Sequence, residues 1–215
     1  MPRANLPGMG PGRLHALVDG VFAIAVTLLV LDLPHPGGSD RLAHDLLAAW
    51  PTYVAYLVSF VTVGVLWIEH TGMLSAVRYV NRRLLERTLV FLLFISIIPW
   101  PTSLAAEYVT DGGAPARTVA VLYASVMLLL ASSMTLSWRY LQQHPELVAE
   151  EARAAFAAGM RRSLIASLVY IPAILLAFVS PTASFALDGL VAIYFALSRS
   201  EVPGLIHRAA VAGGA

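Results

Sequence analysis

Five stretches of the chain run without a charged residue at or near the length of a membrane-spanning helix: residues 20–31, 46–68, 88–106, 118–138 and 163–187. A helix needs about 20 mostly apolar residues to cross a bilayer. Residues 46–68 meet this most simply. Residues 163–187 are punctuated by Ser180-Pro181-Thr182-Ala183-Ser184, which predicts a tight turn between two helices, the second running past Asp188. The first stretch reaches spanning length only if it begins near Arg13 and takes in Asp19. The pattern predicts an all-α polytopic membrane protein, a single domain over residues 1–215. Six transmembrane helices are expected at roughly 13–33, 46–69, 84–106, 116–141, 162–180 and 183–199. Residues 142–160, with Glu146, Glu150, Glu151 and Arg153, read as a polar amphipathic link. The sequence Asp32-Leu33-Pro34-His35-Pro36 stands where small residues would mark a cleavage site, so the first helix reads as retained in the membrane and not as a signal peptide.

Composition agrees. Of 215 residues, 58% are hydrophobic and 13% charged, against about 25% charged in soluble domains. Such a chain cannot clothe itself in polar side chains, and lipid is its natural solvent. A net charge of +1 implies no nucleic-acid partner. Cysteine is absent, which excludes disulfides, thiolate metal sites and Cys nucleophiles. All fourteen basic residues are Arg, and their placement predicts orientation. Arg3, Arg13, Arg78, Arg82, Arg83, Arg87, Arg139, Arg153, Arg161, Arg162, Arg199 and Arg208 fall on one side of the predicted helices. Only Arg41 and Arg117 fall on the other. Positive charge is retained inside, so both termini are expected in the cytoplasm, and an even number of crossings puts them together.

Two features could carry chemistry. Asp19 lies within a span, where a carboxylate costs about 2.5–3.5 kcal/mol on insertion scales and calls for a partner. Helix directions bring Trp67 and His70, near the inner end of the second helix, to its depth. Arg87 and Thr88, at the start of the third helix, lie there too. A polar knot of Arg13, Asp19, Trp67, His70 and Thr88 is expected, set against a hydrated Asp19 at the interface. The second feature is the stripe Ile24, Leu28 and Leu31, at i, i+4 and i+7 on one helix face, with Thr27 beside it. Such a stripe packs as bundle core, touches lipid or lines a pore. Asp32 follows at the outer end, near the negative end of the helix dipole, where it favours cations. Catalysis finds no support: no HExxH pair, Ser-centred elbow or phosphate-binding Gly loop is present, and the adjacent Glu69 and His70 point in different directions on a helix.

The run from Arg13 to Asp32, with Asp19-Gly20, Ile24 and Thr27 at their spacing, resembles the first-helix signature of prokaryotic relatives of transmembrane protein 175, the endosomal and lysosomal potassium channel family. The likeness continues through Trp67-Ile-Glu-His70, through Phe91 to Thr102, and through Ile174 to Pro181. Leu17 and Val18 stand where the family has Phe-Ser, and Thr88 where it usually has Asn. The resemblance implies a six-helix subunit, a homotetramer in the cell membrane and a central pore lined by the first helix. It implies a potassium-permeable path without a Thr-Val-Gly-Tyr-Gly filter, which this chain also lacks. Ile24, Leu28 and Leu31 match the hydrophobic constriction, and Thr27 matches a position tied to potassium preference. No cofactor is implied beyond K+ as the permeating ion, and no partner beyond further copies and lipid. The alternative is a secondary transporter or proton-conducting protein, although transporters tend to show internal repeats and broken helices, and only Pro172 interrupts a helix here.

Overall fold

The computed structural model describes residues 10–36, 40–110 and 112–198. Arg3, Gly37, Asp111, Glu151's side chain, Arg199 and Arg208 lie outside that description. Helix α1 (Pro11–Leu29) ends in a 3-10 turn, Val30–Asp32. A short α2 (Leu42–Ala48) precedes α3 (Trp50–Ser75). Then come α4 (Arg82–Ile97), α5 (Pro99–Tyr108), α6 (Gly113–Gln143), α7 (Arg153–Val179) and α8 (Pro181–Leu197). Five segments are long and apolar enough to cross a membrane: Pro11–Asp32, Trp50–Ser75, Arg82–Tyr108, Gly113–Gln143 and Phe156–Val179. The sixth, Pro181–Leu197, has 17 residues, a rise of roughly 26 Å at 1.5 Å per residue.

Local chemistry explains the boundaries. Prolines that cannot continue a hydrogen-bond ladder stand in the first turns of α1, α3, α5 and α8, where no ladder bond is lost. Asn81 caps α4, its side-chain oxygen accepting from the Leu84 amide at 2.9 Å. Ser180 does the same for α8 through the Ala183 amide at 3.3 Å. The expected turn at 180–184 therefore reduces to Ser180, which alone leaves helical geometry. The expectation that only Pro172 interrupts a helix is overturned: α7 runs unbroken through Pro172, whereas Pro99 and Pro101 interrupt the third span at Ile98, splitting it into α4 and α5.

Two expected boundaries are corrected. The second span does not stop at Glu69 but continues to Ser75, because Glu69 is neutralised by the Arg162 guanidinium at 2.9 Å and is no boundary charge. The link at 142–160 is in large part helix: α7 begins at Arg153, and Phe156 packs edge-on against the Trp138 ring at 5.0 Å.

Helix α6 is the axis of the bundle. Of its most apolar stretch, 61% is buried against the rest of the chain, compared with 17% for α3. It packs on α4, α5, α7 and α8, while α1 lies on α3, α4 and α5. In lipid, helices associate through close packing and hydroxyl hydrogen bonds more than through water exclusion. Accordingly Thr135 on α6 bonds Ser163 at 2.8 Å and Ser167 at 3.1 Å on α7. Ser59 on α3 bonds Thr102 at 2.8 Å and Tyr123 at 3.1 Å. At one end, the α3–α4 and α6–α7 connections are tied together by an antiparallel bridge between Val77 and Val148. The Arg78 amide donates to the Leu147 carbonyl there at 2.8 Å.

Candidate functional site

Helix α1 seats one face in its own subunit and leaves the other uncovered. Leu14, Val18, Phe22, Ala25 and Leu29, spaced by three or four, are buried. The expected stripe lies on the opposite face: Ile24 is 61% exposed, Leu28 41% and Leu31 67%. The stripe is therefore not bundle core of its own chain. Exposure alone does not single it out, since α3 and α7 also present Leu57, Phe60, Leu168 and Leu175 outward. What sets the α1 face apart is its polar inventory. Thr27 is exposed on it, and Asp32 follows in the exposed 3-10 turn. The Thr27 hydroxyl donates to the Ile24 carbonyl at 2.9 Å, so the oxygen that remains presents lone pairs outward.

At the other end of α1 the expected knot is part formed. The Trp67 indole nitrogen donates to a carboxylate oxygen of Asp19 at 2.8 Å. The two line a cavity of about 270 Å³ with Phe22, Ala23, Val26, Val63 and Gly64. His70 belongs to a different environment. It is fully buried, and neither ring nitrogen has a hydrogen-bond partner. Its ring stacks on Phe91 at 4.4 Å and 5°, with Phe22 at 6.5 Å. Within the expected knot, no direct hydrogen bond joins Asp19 to His70, whose ring turns toward Phe91 on α4. Thr88 is buried on α4, and Arg13 is exposed in the first turns of α1. Arg87 reaches away from Asp19 instead, its guanidinium lying 4.9 Å from the Tyr140 ring centre.

Sequence reasoning missed two groups. The Glu69–Arg162 pair joins α3 to α7, and Arg162 also reaches the Ser198 carbonyl at 3.4 Å. The signal available was a carboxylate at the end of an apolar run with an unassigned Arg opening a later one. Asp188, 3% exposed on α8, is the other. It is the single charged residue between Ser163 and Ser198, and a lone carboxylate in an apolar helix marks a site to account for.

This chain is similar over nearly its whole length to known channels. A potassium channel of Streptomyces collinus is 38% identical over 89% of this chain and 94% of the relative. The crystal structure of a lysosomal potassium-selective channel TMEM175 homolog from Chamaesiphon minutus superposes with a TM-score of 0.76 at 31% identity, covering 87% of this chain and 96% of that one. The endosomal/lysosomal proton channel TMEM175 of Homo sapiens is 36% identical over 97 residues, 40% of this chain but 19% of the human protein. Residues 13–99, which contain most of α1, the Asp19–Trp67 bond and His70, match the family described as "Endosomal/lysosomal potassium channel TMEM175". With a full-length relative at this identity and the same fold, the chain is a multi-pass membrane protein and belongs to the TMEM175 channel family.

Proposed function

We propose that the chain is the subunit of a potassium-permeable channel, a homotetramer whose path is lined by four copies of α1. The observation that carries this reading is the uncovered α1 face, with apolar Ile24, Leu28 and Leu31 flanking the outward Thr27 oxygen. Stacked apolar rings form a constriction that stops ions by excluding water, since they offer nothing in place of a hydration shell. The Thr27 oxygens offer partial replacement for the more weakly hydrated K+, and Asp32 raises the cation concentration at the outer mouth.

Six crossings with both termini in the cytoplasm accompany this reading. Two contacts and the placement of Arg support it. The Val77–Val148 bridge places the Arg-rich second and fourth connections at one end, as an even alternation of crossings requires. Arg162, near the start of the fifth crossing, meets Ser198 at the end of α8, so α8 returns to that same end. Arg78, Arg82, Arg83, Arg139 and Arg153 all belong to that face, which positive-inside retention assigns to the cytoplasm of the cell membrane.

A second reading, proton conduction, is favoured by the human relative's description as a proton channel. Liposomes containing only this protein, loaded with K+ and carrying both a voltage-sensitive and a pH-sensitive dye, separate the two. Conductive K+ efflux that sets a diffusion potential without an added protonophore supports the first reading. Acidification driven by voltage, with K+ retained, supports the second. Dependence of K+ movement on a second ion in fixed ratio points to a transporter, and no flux at all contradicts every permeation reading.

A further inference from the structure

A groove of about 310 Å³ runs between α4 and α6 at the Arg-rich end of the molecule. Arg83, Glu86, Arg87 and Val90, at i, i+3, i+4 and i+7, line it from one face of α4, and Ser133 and Leu136 form the α6 wall. Its two halves differ. Val90 and Leu136 are exposed, and the same helix faces continue into the membrane as exposed Leu93 and Leu129, an uncovered apolar track. The other half is cationic, and the chain does not neutralise it. Glu86 accepts from Arg82 at 2.8 Å, so those two charges offset each other. Arg87 donates to the Leu136 carbonyl at 3.3 Å and lies 4.9 Å from the Tyr140 ring centre, contacts that aim it but carry no full negative charge. Arg83 is exposed, with neither an ion pair nor a hydrogen bond among the described residues.

Arg83 and Arg87 thus stand one turn apart, near the start of a helix with no acidic residue in its first turn. Like charges at i and i+4 repel, and cations at a helix N-terminus oppose its dipole. An anion set between them relieves both. We propose that this groove is a binding site for an anionic phospholipid, its phosphate held by Arg83 and Arg87 and an acyl chain lying along Val90, Leu93, Leu136 and Leu129. A guanidinium offers paired donors that match phosphate oxygens, and basic side chains at a membrane surface attract anionic lipid. Head and chain match the two halves of the groove. No residue of α1 lines it, so the site stands whether or not α1 lines the permeation path, and whichever side of the membrane the Arg-rich end faces.

The test uses the full-length protein in phosphatidylcholine nanodiscs and two photoreactive lipids with a diazirine midway along one acyl chain. One is a phosphatidylglycerol, the other a phosphatidylcholine with the same chains. At equal membrane concentration, the phosphatidylglycerol should label peptides containing Leu93 or Leu129 about tenfold above the phosphatidylcholine, given about fivefold for each Arg that meets an anionic head. Arg83→Gln should lower that ratio about fivefold. Arg153→Gln, at the same end but on α7, should leave it unchanged. Soluble glycerol phosphate in excess should not displace the lipid. Equal labelling of the wild type by the two lipids, or none at these peptides, overturns the proposal. Equal losses in Arg83→Gln and Arg153→Gln also overturn it, because the Arg-rich end then acts as a diffuse field and not as a site. Displacement by glycerol phosphate overturns the choice of lipid over free phosphate. Arg83 has no contact to lose within the described chain, and the wild-type comparison decides without any variant.

Discussion

Thr27 donates its hydroxyl proton within its own helix, at 2.9 Å to the Ile24 carbonyl, which leaves oxygen to face outward. Thr27→Val keeps the shape and removes that oxygen. The K+ to Na+ permeability ratio should fall more than the total current, read from reversal potentials in bilayers. An unchanged ratio would take Thr27 out of ion selection. Asp19 and Trp67 form one hydrogen bond at 2.8 Å, and a membrane hydrogen bond is worth roughly 1 kcal/mol. A double-mutant cycle with Asp19→Asn and Trp67→Phe on the thermal stability of the detergent-solubilised oligomer should show coupling of that order. His70 behaves oppositely. Its ring is buried against Phe91 with no polar contact, so His70→Phe should leave stability unchanged or raise it, whereas His70→Ala should lower it by about 3 kcal/mol through cavity formation. A large loss in His70→Phe would reveal a polar partner. The Asp19–Trp67 bond was legible in the sequence because an intramembrane carboxylate needs a donor and helix direction fixes depth. The placement of His70 was not, since depth says nothing of helix rotation, and rotation turns it to Phe91.

Elements were legible where their ends carry Pro or a cap. They were illegible where a charge is paired at long range. Charge alone would end α3 at Glu69, yet Arg162, 93 positions away, keeps the helix running to Ser75. That partner is invisible to any local pattern. The pair is partly buried, with side chains 16% and 22% exposed, so removing one member by Glu69→Gln should cost about 2 kcal/mol, between the surface and fully buried cases. Adding Arg162→Met should restore part of the loss in thermal melts, and simple additivity would show the two are independent. The start of α7 was hidden for a related reason. Its polar first turns hold because Gly159 lets the helix close onto Trp138. A Cβ at Gly159 would sit 2.7 Å from the buried Trp138 ring. Gly159→Ala should therefore destabilise by about 1–3 kcal/mol, the range for overpacking, and an unchanged melting temperature would mean that α7 and α6 separate more easily than this packing implies.

The whole molecule presents one Arg-rich end, tied by the Val77–Val148 bridge, and an outward α1 face. The number and order of apolar segments could be read from the sequence, as could the side on which Arg collects. Which face of α1 turns outward could not, because the stripe Ile24, Leu28 and Leu31 has the period of a core face, and only packing of the alternate set, Leu14, Val18, Phe22, Ala25 and Leu29, decides between them. The proposed topology is open to direct test because the chain has no native Cys. Ala114→Cys, at the α5–α6 end, should react with an impermeant thiol reagent applied outside intact cells, and Gln143→Cys, at the opposite end of α6, should not. The reverse pattern would invert the molecule.

The most direct test of the central claim is the K+ conductance of Ile24→Asn in planar bilayers, on protein whose oligomer elutes intact by size-exclusion chromatography. Four copies of α1 around a path make Ile24 a ring that excludes water, and an amide there wets it. Conductance should rise well above wild type, with weaker discrimination between K+ and Na+. Unchanged conductance and selectivity in an intact Ile24→Asn oligomer would contradict the account and remove α1 from the permeation path.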